Sequence, residues 1–498
     1  MKRRVAAVLL PSFRVALVRA HAVDLARRPL AIVVDAARSE RDLTGGTRID
    51  EVSEEARACG VFPGATIASA KATCGDLRVR VLHPDRAKRA LEGLAEALLA
   101  LGAITAPVIA RDCVLVDVTG CAHLHGGEAN MLDAITAHVA RAGFAGRVAI
   151  ADGPEIAWAI ARESARSRVV ESEDTMRALG ELSIDALRLD PRTASYFHRL
   201  GVSTVGALRA LPRAQLTARI ENQNLLARVR AILDGDDLTP IPRFVPPRVL
   251  EERAELEYGI EGHEPLFFVL KTLCDRVSLR LEARAALASK LEVVLELDRA
   301  MCAAGVARTI HVQIPLASPL RKSAELHNVL RSRFEREPPL HAPALAVALR
   351  APDLAPLRTA TRRLFVPESR AELALPKLAA ELTALMGEDA IGSLAVRDDW
   401  RTRSRSVLVP FGQATDQKSA SSRSITLSPV EPMRIVPVRV LENRAALELA
   451  HLARFERVTW WRAPSAPRDW KLVFDSGAIA FVEEVDGERA RRVRGFLD

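Results

Sequence analysis

Residues 110–120 read ARDCVLVDVTG, an apolar run that closes on an Asp-Val-Thr-Gly turn. Its β-branched content and the turn that follows predict a buried strand. Asp112 and Cys113 stand at its start and pose a chemical question. A strand that held divalent cations would want two adjacent carboxylates, because hard cations gather several carboxylate oxygens. A thiol in the second place is a soft ligand and suits Mg²⁺ poorly.

Working outward, VAAVLL (residues 5–10) and LAIVVD (residues 30–35) are short continuous apolar runs of the kind that form central strands. FRVALVRAHAVDLARR between them has helical spacing, and a helix capped by Ser53 and closed by Gly60 follows. Residues 85–102 predict an amphipathic helix; strand-like runs at 107–119 and 146–152 flank a helix at 128–143. That β-α-β-β-α-β order predicts an antiparallel or mixed sheet with helices on one face.

The pattern from about 153 to 237 is helical. Within it, Leu200–Ile220 has two short helices joined by glycine turns, the grammar of a helix-hairpin-helix, whose turn amides can hold a phosphate. A plain helical turn is the alternative. TPIPRFVPPRV (residues 239–249) reads as an extended linker. Beyond it, FFVLKTLCDRVSLRLEAR predicts a long helix, and KLEVVLEL and RTIHVQIPL predict alternating strands, together an α+β unit over 250–350. A helix (ALPKLAAELTALMG) and a Ser-rich, weakly apolar stretch follow, the latter expected to be disordered. Residues 434–498 return to strand-like patterning around Trp460, Trp461 and Trp470.

A chain of 498 residues is long enough for three to four domains, and 49% hydrophobic content supplies their cores. Lys and Arg number 71 against 63 Asp and Glu, a net charge of +8 that favours a polyanionic partner, nucleic acid foremost and a membrane surface less so. The basic, apolar N-terminus is broken by Pro11 and Arg14 and reads as a first strand rather than a signal peptide. No run reaches the roughly 18 unbroken apolar residues of a membrane span, so the expected location is the cytoplasm. The six cysteines include no CxxC pair and read as reduced core residues. In CAHLHGG, strand alternation would put Cys121, His123 and His125 on one face where they could hold zinc; a strand ending in a Gly-Gly turn is the preferred reading.

VSEEARACGVFPGATIASA (52–70), VLVDVTG (114–120) and RLGVSTVGALRALP (199–212), in that order, resemble the Y-family translesion DNA polymerases. DVTGCAHLHGGE with the Trp-rich tail is similar to the ImuB branch of that family, which is encoded in bacterial mutagenesis cassettes. The resemblance implies an α+β multidomain, right-hand architecture. It would comprise a palm (1–170) with fingers inserted at about 21–81, a helical thumb with the helix-hairpin-helix (171–237) and a Pro-rich linker (238–249). A little finger (250–350), a segment with a clamp motif, helix and disordered linker (351–430), and a C-terminal docking module (431–498) would follow.

Matched motif by motif, the family's metal-binding acids fall on Leu9, Asp112 and Cys113, with a further family Asp on Pro11. Asp112 alone keeps a carboxylate, so the resemblance implies a non-catalytic homologue needing no cofactor; Mg²⁺ enters only under the alternative of an active polymerase with an altered metal site. Asp117 falls on the opposite strand face from Asp112. The nucleotide-binding Tyr and Arg fall on Glu54 and Arg57, the triphosphate-binding Lys on Ala159, and the residue that screens the sugar on Arg14.

DNA contacts are expected at Gly201 and Gly206 in the hairpin and along Lys271, Arg276, Arg280, Arg284 and Lys290, whose near-helical spacing would track a phosphate rail; a solvated helix face is the plainer reading. TRRLFVP (361–367) resembles a sliding-clamp peptide, with Leu364 and Phe365 as its apolar pair and a final core strand as the alternative. The tryptophans of the tail would dock protein partners or fill a small core. The implied partners are primer-template DNA, the sliding clamp, an error-prone C-family DNA polymerase and a RecA-like accessory protein of the same cassette. The implied function is DNA-damage-induced translesion synthesis in the bacterial cytoplasm, at the nucleoid. A DNA-binding protein without polymerase partners is a third reading.

Overall fold

The computed structural model describes residues 2–357 apart from 21, 38, 238 and 303–305, then helical positions 378, 382 and 386 and the stretches 391–396, 406–410, 446–454, 468–474, 479–484 and 492–497. The chain divides into two units, 1–391 and 392–498.

The first unit begins with β1 (Arg4–Leu9), α1 (Phe13–Arg19), β2 (Leu30–Val34), β3 (Glu51–Val52), α2 (Glu54–Ala58), α3 (Ile67–Thr73) and β4 (Arg78–Leu82). It continues with α4 (Pro84–Leu98), β5 (Ile104–Val108), β6 (Cys113–Asp117), α5 (Glu128–Arg141), β7 (Arg147–Asp152), α6 (Pro154–Glu163) and β8 (Arg168–Val169). Two sheets result. The larger has the order β5-β6-β1-β7-β8; the smaller, β3-β2-β4, is built from the inserted segment.

β1 is apolar from Val5 to Leu9 because both faces of the larger sheet are covered. Ala6 and Val8 pack with α4 and α5 in one core, while Val5 and Ala7 pack with α6 and the helices that follow in another. The sequence predicts helices on one face alone. The second layer exists because α6 (PEIAWAIARE) is buried from Pro154 through Ala161 and needs cover all round.

Five helices follow: α7 (Thr175–Gly180), α8 (Pro191–Arg199), α9 (Val205–Arg209), α10 (Arg213–Arg219) and α11 (Gln223–Leu233). The α+β region comprises β9 (Leu250–Ile260), α12 (His263–Ala283), β10 (Ala286–Leu297), β11 (Thr309–Leu320), α13 (Ser323–Phe334), β12 (Ala344–Ala351) and β13 (Leu354–Pro356). Its strands run β11-β10-β12-β9, with β13 on β10, and both helices contribute to a core against them.

In the second unit, β14 (Gly392–Val396) pairs with β15 (Ser406–Pro410), and β16 (Ala446–Arg454), β17 (Arg468–Phe474), β18 (Ile479–Glu484) and β19 (Arg492–Leu497) form an antiparallel meander. β15 falls inside the Ser-rich stretch read as disordered: the apolar SVLVP found a partner in GSLAV.

CAHLHGG is not a strand. Ala122–His125 form a 3₁₀ turn closed by Gly126 at φ 79°, so Cys121, His123 and His125 do not share a face as a strand would arrange them.

Candidate functional site

β1 and β6 are antiparallel neighbours, and their register sets Leu9 directly opposite Cys113. The two positions that would carry carboxylates in a metal-binding corner therefore face each other as an isobutyl group and a thiol. Cys113 is wholly buried, and burial pushes its thiol up to about 12. It behaves as a small hydrophobe.

Asp112 caps the turn before β6 in left-handed backbone geometry, φ 47°, and Ser12, across the corner before α1, is likewise left-handed at φ 55°. Such conformations are costly for residues with a Cβ and cluster at functional sites. Arg14, on the first turn of α1, brings Nη2 to 3.2 Å from Asp112 Oδ1. The pair is close but not well bonded: Asp112 Oδ1 and Arg14 Nε are both buried without a hydrogen-bond partner. Burial pushes the Asp112 carboxyl up, with the Arg14 charge opposing.

A second acid closes the corner. Glu51 in β3 accepts hydrogen bonds from the amides of Arg14 and Val15, each at 3.2 Å. It is buried, and burial, with repulsion from Asp112 added, pushes its carboxyl up against the pull of those amides. The orphan amides at the start of α1 are thus answered by a carboxylate of the chain itself. Glu51 escaped the sequence reading, which looked three residues further on at Glu54.

A pair of divalent cations needs several free carboxylate oxygens. Leu9 offers none, Cys113 is a buried neutral thiol, and Asp112 already faces a guanidinium. These residues do not fit such a pair. Among the described residues, no three His, Cys, Asp or Glu side chains are grouped to hold a metal ion.

This corner lies within residues 8–162, which match the IMS family (impB/mucB/samB). Protein ImuB of Caulobacter vibrioides (strain NA1000 / CB15N) is 30% identical to the chain over 281 residues, 56% of this chain and 59% of that protein. Residues 8–162 thus carry an IMS-family region, and the chain is similar to ImuB. Its match to ImuB spans less than two thirds of that relative's length. Among solved structures it is similar to a Y-family DNA polymerase chimera, Dbh-Dpo4(243-245)-Dbh, at 13% identity and a TM-score of 0.42, with 70% of this chain and 98% of that one covered. A Dbh ternary complex gives 14% identity and a TM-score of 0.41, covering 71% and 99%.

The remaining positions are distributed as follows. Glu54 and Arg57 are exposed on α2, whose N-cap Ser53 accepts from the Ala56 amide. Ala159 is 2% exposed in the core between α6 and the helical region, so this position faces a packed interior and not an open nucleotide site. Asp117 turns to Arg3, at 2.8 Å.

The hairpin glycines have structural roles. Gly201, at φ 78°, donates its amide to His198 O and ends α8. A Cβ on Gly206 would meet Gly180 O at 2.9 Å, so this glycine permits α9 to approach α7 closely. The Gly201 amide is therefore spent within the turn, whereas the expected phosphate contact of Gly206 remains a proposal.

The expected phosphate rail is corrected at its arginines. Arg280 is 5% exposed; it bonds Glu96 of α4 at 2.8 Å and Glu252 of β9 at 2.7 Å. Arg284 pairs with the same Glu96 and donates to Pro247 O in the linker. Arg276 donates to Ala142 O and stacks on Phe144. Lys271 pairs with Asp275 at 2.7 Å, and Lys290 donates to Gln313 across the β10–β11 pair. Arg280 and Arg284 fasten the α+β region to α4 and so do not face solvent as a rail, while Lys271 stays exposed on α12 and Lys290 lies on β10. Leu364, Phe365, Trp460 and Trp461 lie outside the described residues. Trp470 lies in β17, paired with His451 and Val482.

Proposed function

We propose that the chain is a non-catalytic Y-family homologue that binds primer-template DNA and the sliding clamp and recruits an error-prone C-family polymerase, with a RecA-like accessory protein, for translesion synthesis after DNA damage. The observation that carries this reading is the corner where Leu9 faces Cys113 and Arg14 faces Asp112. A scaffold of the polymerase family whose metal-binding corner holds a guanidinium is suited to positioning DNA for a partner's chemistry, not to lengthening a strand. The net charge of +8 supports a phosphate-rich partner. No helix among the described residues is long and apolar enough to cross a membrane.

Two measurements test the binding half. Anisotropy of labelled primer-template DNA with the full chain should show affinity falling steeply with salt, and a flat response contradicts phosphate-dominated binding. Sliding clamp should be retained on the wild-type chain and lost with Leu364→Ala/Phe365→Ala; equal retention assigns that segment a structural role.

One observation favours a second reading, an active polymerase with an altered site. Glu51 and Asp112 are two carboxylates close enough to repel each other. Were Arg14 displaced, they would offer oxygens to a cation, and templated extension dependent on Asp112 would follow.

A further inference from the structure

Five arginine and tryptophan side chains converge where α6, the turn before α8 and α11 meet, one residue from Asp112 along the chain. Trp158 of α6 is the platform: the guanidinium carbons of Arg111, Arg162 and Arg188 lie 4.7, 5.4 and 5.9 Å from its ring centroid. Arg228 of α11 approaches Glu155 to 3.9 Å, and Arg111 holds the other oxygen of the same carboxylate at 2.7 Å. Glu155 is thus shared between two guanidiniums, and Arg162 lies 3.6 Å from Glu163. Arg188 has neither a carboxylate nor a hydrogen-bond acceptor among the described residues.

The donors outrun the acceptors. Trp158 Nε1 and Arg228 Nε are buried with no acceptor, although buried donors are nearly always satisfied. Arg188 is exposed, yet its backbone is left-handed at φ 54°, a conformation that costs any residue with a Cβ. Burial, then repulsion from Arg111, lowers the Arg188 guanidinium below its usual basicity, with Glu155 alone opposing. Like charges gathered at a conformational cost, around unsatisfied donors, lack a multivalent acceptor.

We infer that Arg111, Arg162, Arg188 and Arg228 around Trp158 form a phosphate-binding site, open to solvent at Arg162 and Arg188. A phosphate group supplies several acceptor oxygens and the planar bidentate geometry that guanidiniums match. The phosphate comes from a nucleic-acid strand or from a free nucleotide, and the arms of the test separate the two. The site adjoins the Leu9–Cys113 corner through Arg111 and is distinct from the glycine and α12 positions discussed above.

The test uses the full chain and the exposed pair Arg162→Gln/Arg188→Gln, with Arg188→Gly as a second variant. Glycine accepts φ 54° without strain, so Arg188→Gly should melt no lower than wild type and its binding loss cannot be ascribed to misfolding. Inorganic pyrophosphate should raise the wild-type melting temperature, and each variant should lose more than half of that shift. No shift in wild type, or equal shifts in all three proteins, overturns the site. This arm needs no DNA, so its result is independent of the DNA-binding reading above. Primer-template DNA and dATP then identify the source. A roughly tenfold loss of DNA affinity in the double variant, with a salt slope shallower by about 1–2, assigns a strand phosphate. Loss of dATP binding with unchanged DNA affinity assigns a free nucleotide, and loss of neither overturns the proposal.

Discussion

Arg14 and Asp112 face each other at 3.2 Å across the corner where β1 ends and β6 begins, and neither finds a full hydrogen-bonding partner there. The guanidinium neutralises a carboxylate that burial would otherwise leave costly. Burial wins on balance, since the Asp112 carboxyl is raised despite Arg14. A folded value above the unfolded one means the protonated form is favoured in the fold: that stability is present below the unfolded value and is lost as pH rises through the folded one. Asp112→Asn should therefore melt no lower than wild type at pH 7, any gain vanishing near pH 3. A loss of more than about 1 kcal/mol at pH 7 would show that the ion pair stabilises the corner.

Cys113 should be inert. With its thiol pushed up to about 12 and no exposure, it carries almost no thiolate at pH 8, whereas Cys59 is exposed. Iodoacetamide on the native chain, read by peptide mass mapping, should modify Cys59 and spare Cys113 until denaturant is added. Rapid native labelling of Cys113 would mean that the corner opens.

The seam between α12 and α4 should be worth far more to stability than to DNA binding. Arg280→Met leaves Glu96, which is fully buried, facing Arg284 alone and strips Glu252 of its partner. Removing one member of a buried ion pair costs about 3–5 kcal/mol, and a loss of that order should appear in denaturant titration. Unchanged stability with a large loss of DNA affinity would restore the phosphate rail that the sequence suggests.

Glu55 reports on acid sensitivity. Burial, the largest single effect, would raise it, but the hydrogen bond from Arg19 at 2.8 Å, those from Ser53 and its own amide, and the Arg19 charge together lower its carboxyl to about 2. The stabilisation is full above the ordinary carboxylate range and is lost as pH falls toward 2. The pair is partly exposed, so screening holds its worth to about 0.5–1 kcal/mol. Glu55→Gln should lower the melting temperature slightly at pH 7 and not at pH 2; an equal effect at both would contradict the pairing.

Much of the corner was legible from residues 5–10 and 110–120, because a continuous apolar run between short turns leaves little choice but a central strand, and the register then pairs Leu9 with Cys113. The arginines of α12 were not legible. Arg276, Arg280 and Arg284 recur every four residues, and that period serves a solvent-facing rail and a buried seam equally well. What decides between them is Glu96, 184 residues from Arg280, and no local pattern reports it. Glu51 was hidden for a similar reason: a two-residue strand gives no period, and its partners are the backbone amides of Arg14 and Val15. CAHLHGG misled because alternation has meaning on a strand, and its glycines favoured a tight turn instead.

The central claim is that this polymerase-like chain does not extend DNA. The measurement that tests it most directly is primer extension by the purified full chain with all four nucleotides and Mg²⁺ or Mn²⁺, on undamaged and lesion-bearing templates. The account predicts an unextended primer under every condition, for wild type and Asp112→Ala alike. Templated extension by wild type that Asp112→Ala abolishes would contradict it.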